Sequence, residues 1–89
     1  MRFVLDGGSV GSRQALHQTL AAGLHLPEWY GGNLDALHDC LTEPGQPTEL
    51  VIRHAAALSA TLGDYATALH RVLTACAAEN PSFTFTWET

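Results

Sequence analysis

Residues 26–43 read LPEWYGGNLDALHDCLTE, and they divide at Asn33 into a turn-forming loop and a short helix. Pro27, Gly31 and Gly32 punctuate the loop, which also carries the adjacent aromatics Trp29 and Tyr30. Such a segment belongs on the surface, and exposed aromatics within it invite a partner. Asn33 suits the N-cap position, because its side-chain oxygen can accept a hydrogen bond from a free amide of the first turn. Leu34, Leu37 and Leu41, helped by Cys40, recur at helical spacing and form one apolar stripe. Asp35, His38, Asp39 and Thr42 then share the outer face. Pro44, Gly45 and Pro47 stop the helix and open the next loop.

On the N-terminal side, Met1–Asp6 is a short apolar run ended by Gly7-Gly8, as suits a strand and a turn. Ser12 can cap a helix in which Leu16, Leu20 and Leu24 recur every four residues, with Gly23 near its end. On the C-terminal side, the β-branched centre of Glu49–Arg53 (ELVIR) suits a buried strand. A helical stretch from about Ala55 to Leu62 stops at Gly63. Asp64 can cap a longer helix lined by Ala68, Leu69, Val72, Leu73 and Cys76, and Asn80-Pro81 closes it. The tail SFTFTWE alternates Phe83, Phe85 and Trp87 with threonines, the period of a strand with one buried face. Three strands separated by helices need crossover connections, which give parallel pairing. The expected fold is therefore α/β, a three-stranded parallel sheet packed against about four helices. A single domain over residues 1–89 is expected, without repeat, low-complexity segment or linker.

The composition narrows the function classes. An apolar fraction of 46% fits a globular protein. No apolar run approaches the length of a membrane span, and the opening MRFVLDGG lacks the basic start and long apolar stretch of an export signal. The expectation is a cytoplasmic protein without membrane attachment. The net charge is −5, and residues 28–43 hold four acids (Glu28, Asp35, Asp39, Glu43) with no Lys or Arg. Four arginines and no lysine leave no basic footprint for direct nucleic-acid binding. An anionic patch framed by aromatics instead suits a basic pocket on another protein, since opposite potentials speed encounter and aromatics anchor contact. Cys40 and Cys76 fall on apolar helix faces without metal-ligand spacing, as expected for two reduced, buried thiols.

Three other uses of the acidic helix are conceivable on chemical grounds. Asp35 and Asp39, four residues apart, repel one another by a few tenths of a kcal/mol. The helix dipole explains Asp35 but not Asp39, although a merely solvated face accommodates both. Asp35, His38 and Asp39 also converge as metal ligands would, yet the remaining histidines, His17, His25, His54 and His70, are scattered as surface or half-buried residues and complete no set. An acid–base enzyme would use the two aspartates with His38 as proton carrier. Such groups on one convex helix lack a pocket, a phosphate loop or a nucleophile motif. No metal or cofactor is expected.

The stretch LPEWYGGNLDALHDCLT at residues 26–42, with LHQTL at 16–20, resembles the barstar family of intracellular inhibitors of barnase-type ribonucleases. The order of strands and helices looks like that family's along the whole chain. The resemblance implies a one-to-one complex in which this helix and its preceding loop plug the active site of a secreted, guanyl-preferring microbial ribonuclease. It places Trp29, Tyr30, Gly31, Asn33, Asp35, Ala36, His38, Asp39, Thr42 and Glu43 in the contact surface. The residue matching Asp39 occupies the enzyme's phosphate pocket, against its arginines and catalytic histidine, and Asp35 accepts hydrogen bonds beside it. Trp29 would pack on the enzyme's rim, and Gly31 and Gly32 would admit its main chain closely. The family's complex with barnase is itself a reference case of charge steering and of a dominant acidic hot spot. The alternative is an immunity protein that offers the same helix to a different basic toxin.

The chain departs from the family pattern at several places. His38 stands where the best-known member has a large aromatic, and Glu43-Pro44 replace a Gly-aromatic pair. Ala75 or Cys76 falls where the last helix can supply an acid, with Glu79 one turn on. Those changes imply a related ribonuclease with a different rim. Between two binding carboxylates, His38 is also expected to take up a proton near about pH 6 and so weaken binding to a basic partner.

Overall fold

The computed structural model describes residues 1–89 and has the expected α/β architecture. In chain order the elements are β1 (Arg2–Asp6), a single 3-10 turn (Gly7–Ser9), α1 (Arg13–Gly23), α2 (Leu34–Thr42), β2 (Thr48–Arg53), α3 (Ala55–Leu62), α4 (Asp64–Glu79) and β3 (Phe83–Trp87). The strands form one parallel sheet in the order β1-β2-β3. Leu50 stands between Phe3 and Phe85, and Ile52 between Leu5 and Trp87, so the apolar alternation of all three strands meets on one face. That face joins the leucines of the helices in a core of 16 buried residues. On the opposite face Arg2, Val4, Asp6, Thr84 and Thr86 are exposed and only Val51 is buried. Ion pairs Arg2–Glu49 (3.3 Å) and Arg53–Glu88 (3.7 Å) brace that face. No helix is long and apolar enough to cross a membrane.

Local chemistry accounts for most element boundaries. Ser12 caps α1 by accepting from the Ala15 amide at 3.0 Å. The left-handed residue beyond α1 is His25 (φ 53°), while Gly23 lies inside the helix with the Phe3 ring packed where a side chain would stand. Asp64 does not cap α4. A single residue, Gly63 (φ 58°), separates α3 from α4 and occupies the cap position itself, which makes Asp64 the first helical residue. There its charge still complements the helix dipole. Along α4 the buried residues are Ala66, Leu69, Leu73 and Cys76, with Ala68 and Val72 on the half-buried flanks. The helix rests against β3, α3 and, above all, α2.

Candidate functional site

Between α1 and α2 the chain makes one tight turn, with the Tyr30 amide donating to the Pro27 carbonyl at 2.9 Å. The turn sends its two aromatics in opposite directions. Trp29 is 66% exposed, one of three large hydrophobic residues facing solvent. Tyr30 departs from the expectation of exposed aromatics and turns inward, because its hydroxyl has a buried partner. It lies 2.5 Å from Nδ1 of His17, whose Nε2 lies 2.6 Å from the Tyr65 hydroxyl. His17 is itself a correction: instead of a surface or half-buried position, it sits in the core at 4% exposure. Burial lowers the His17 pKa and raises those of both tyrosines, so the imidazole stays neutral, donating through one nitrogen and accepting through the other.

At the end of the turn Asn33 caps α2, its Oδ1 accepting from the Ala36 amide at 2.8 Å. Leu37 and Leu41 are buried and Leu34 and Cys40 half-buried, which fixes the rotation of the helix. Asp35 and Asp39 consequently face solvent, Asp39 with 79% of its side chain exposed. Neither carboxylate is paired with an arginine. Glu43 is exposed at the end of the helix and Glu28 in the loop. Ala36 and Thr42 are half-buried, and the Thr42 hydroxyl donates to the His38 carbonyl at 2.8 Å. Gly31 and Gly32 are exposed, Gly32 in the left-handed region at φ 68°.

His38 is drawn sideways out of the acidic row. Its Nε2 lies 2.6 Å from Glu79 Oε2 on α4, whereas its Nδ1 is 3.9 Å from Asp39. The hydrogen bond to Glu79 is the main cause of a raised His38 pKa, ahead of the charges of Glu79 and Asp39. The sequence placed His38 between Asp35 and Asp39, and the structure shifts its principal partner to another helix. Asn80 is a further tie that sequence reasoning missed. Its amide donates to the carbonyls of Leu41 (2.9 Å) and Glu43 (3.3 Å), closing the C-terminal end of α2 from outside the helix.

The surface so assembled is convex: no cavity includes Asp35, His38 or Asp39. No three His, Cys, Asp or Glu side chains converge as a metal site would require. Cys76 is buried and Cys40 half-buried, both free, and burial raises both thiol pKa values, that of Cys76 to about 11. Neither thiol is therefore activated as a nucleophile. What remains is a set of acceptor-only carboxylates, paired with no arginine of the chain and displayed on a capped, well-packed helix.

The sequence matches the family described as Barstar (barnase inhibitor) over residues 1–88. It is also 38% identical over 66 residues to a Bacillus subtilis (strain 168) protein named "Putative ribonuclease inhibitor YrdF", covering 73% of this chain and 72% of that protein. With a family match over nearly its whole length, this chain belongs to the barstar family.

Proposed function

We propose that this protein is a ribonuclease inhibitor, not an enzyme, and that it works in the cytoplasm by plugging the active site of a secreted, guanyl-preferring ribonuclease of the barnase type. The observation that carries this function is Asp39, a carboxylate 79% exposed on the outer face of α2 with no arginine of its own chain beside it. In a dehydrated pocket lined by arginines, a carboxylate stands in for a substrate phosphate, because charge-assisted hydrogen bonds converge on it in the same way. Asp35, one turn earlier, accepts from a neighbouring basic or main-chain group. Trp29 packs on the enzyme's rim, Gly31 and Gly32 let the main chains come close, and Asn33 caps the helix at the edge of the contact. Family membership and the name of the Bacillus relative support the inhibitor role. The test is a titration of several guanyl-preferring microbial ribonucleases with the wild type and with Asp39→Ala, following RNA cleavage. Stoichiometric inhibition that collapses in the variant is expected. An absence of inhibition by the wild type would redirect the search to another basic toxin, to be captured by pulldown.

A further inference from the structure

The largest cavity of the molecule, about 690 Å³, opens beside the acidic helix between α1, the loop before α2 and the start of α4. Arg13, Gln14 and Gln18 line it from α1, Gly31 and Asn33 from the loop, and Tyr65 from α4. No carboxylate lines it, although the protein carries a net charge of −5. Its ionic group is Arg13, whose guanidinium carbon lies 4.4 Å from the centroid of the Tyr65 ring. Arg2 and Arg53 are neutralised by Glu49 and Glu88, but Arg13 has no such partner. The first turn of α1 also carries no acid, so the helix adds its own positive end to the same rim.

We propose that this cavity is a second docking subsite for the same ribonuclease, receiving a carboxylate side chain from a loop at the rim of the enzyme's active site, with Arg13 as its counter-charge. This rests on α2 being the active-site plug. Continuity and charge carry the inference. Gly31 and Asn33 belong at once to the cavity wall and to the loop that leads into α2, so an enzyme rim seated on that loop lies over the cavity. The donor-only guanidinium of Arg13 selects an acceptor, the opposite of what Asp35 and Asp39 select, and the Gln14 and Gln18 amides beside it can add donors. The need for such a subsite is also visible, because His38 offers no aromatic anchor and is held by Glu79. Two adjacent patches of opposite sign fix the register of a complex in a way that one acidic patch does not.

The sign of one substitution separates this contact from long-range steering. Arg13→Glu makes the inhibitor more negative, which by itself speeds encounter with a basic enzyme. A lost contact with an enzyme carboxylate acts in the opposite direction, through dissociation. Association and dissociation rates should be measured for wild type, Arg13→Gln, Arg13→Glu and Asp39→Ala against a guanyl-preferring ribonuclease that the wild type inhibits. Arg71→Glu, the same charge change outside the cavity, is the control. Dissociation should quicken by several-fold in Arg13→Gln and by about tenfold or more in Arg13→Glu, and stay unchanged in Arg71→Glu. An acid at the start of α1 favours the helix and offsets part of the lost contact with the Tyr65 ring, so thermal melts should show Arg13→Glu folded, with Arg13→Gln as the milder variant. If Arg13→Glu dissociates as slowly as wild type while Asp39→Ala abolishes inhibition, the subsite is wrong and the plug stands. If the wild type inhibits none of the enzymes, both are wrong.

Discussion

His17 is the one polar side chain in the core, and its neutrality is a condition of the fold. Both ring nitrogens are engaged by tyrosine hydroxyls, which leaves no room for a compensating carboxylate and no orphaned donor. Burial depresses the folded-state pKa below the value of about 6.5 that the unfolded chain retains. Between those two values the unfolded state binds more protons. The stabilisation is thus complete above about pH 6.5 and is lost as the pH falls through the folded-state value. Denaturant unfolding should show stability declining from about pH 7.5 to about 5 in the wild type and declining less in His17→Gln. Equal declines in the two proteins would remove His17 from the account. None of this was legible in the sequence, where His17 follows the buried Leu16 and reads as a helix-surface residue. Its partners lie 13 and 48 residues away, beyond the reach of any periodicity.

Helix α2 is short, and its placement depends on ties at both ends. Asn33 closes its N-terminus, a role that follows directly from residue type and position. Asn80 closes its C-terminus from the end of α4, a role the sequence concealed, because Asn80-Pro81 already made sense as the stop of its own helix. Asn80→Ala removes both bonds that its amide donates and the one its Oδ1 accepts from the Ser82 amide, and should cost about 1–3 kcal/mol, which denaturant titration checks. A loss within experimental error would mean that water replaces the amide. The His38–Glu79 pair ties the two helices in a pH-dependent way. Its folded-state pKa is raised, so the stabilisation is present below about pH 6.5 and is lost as the pH rises through the raised value. Binding to a basic enzyme has the opposite preference and tightens as His38 loses its proton. Dissociation constants between about pH 5.5 and 7.5 should fall with rising pH for wild type, and Glu79→Gln should move that change to lower pH. Should His38→Gln keep the wild-type pH dependence, the imidazole is not its source. The strands, the main helices and the acidic face were legible because each is written in a local period, as Leu34, Leu37 and Leu41 of α2 show. The ties between helices are written in pairs far apart in sequence, such as His38 with Glu79, and became visible only in three dimensions.

At the scale of the whole molecule, the charge has a place as well as a size. Of nine acids, Glu28, Asp35, Asp39, Glu43 and Glu79 lie on α2, on the loop before it or against His38. The other four, Asp6, Glu49, Asp64 and Glu88, are largely offset by Arg2, Arg53 and Arg71, and Arg13 borders the loop before α2, so four of the five net negative charges lie on the α2 side. A charge so placed orients the molecule as well as attracting its partner. Ionic strength can separate the two effects, because the molecule measures 32 × 25 × 20 Å. At about 0.01 M salt the screening length of about 30 Å spans the whole protein, and any lost acid slows association. At about 0.1 M the length shrinks to about 10 Å, and only acids near the contact are felt. Glu43→Gln and Glu88→Gln change the net charge equally, the first beside α2 and the second in the ion pair with Arg53 on the open face of the sheet. Association with an inhibited ribonuclease should therefore slow in both variants at about 0.01 M but only in Glu43→Gln at about 0.1 M, with dissociation little changed by salt. Equal slowing at about 0.1 M would mean that total charge, rather than its position beside α2, governs encounter.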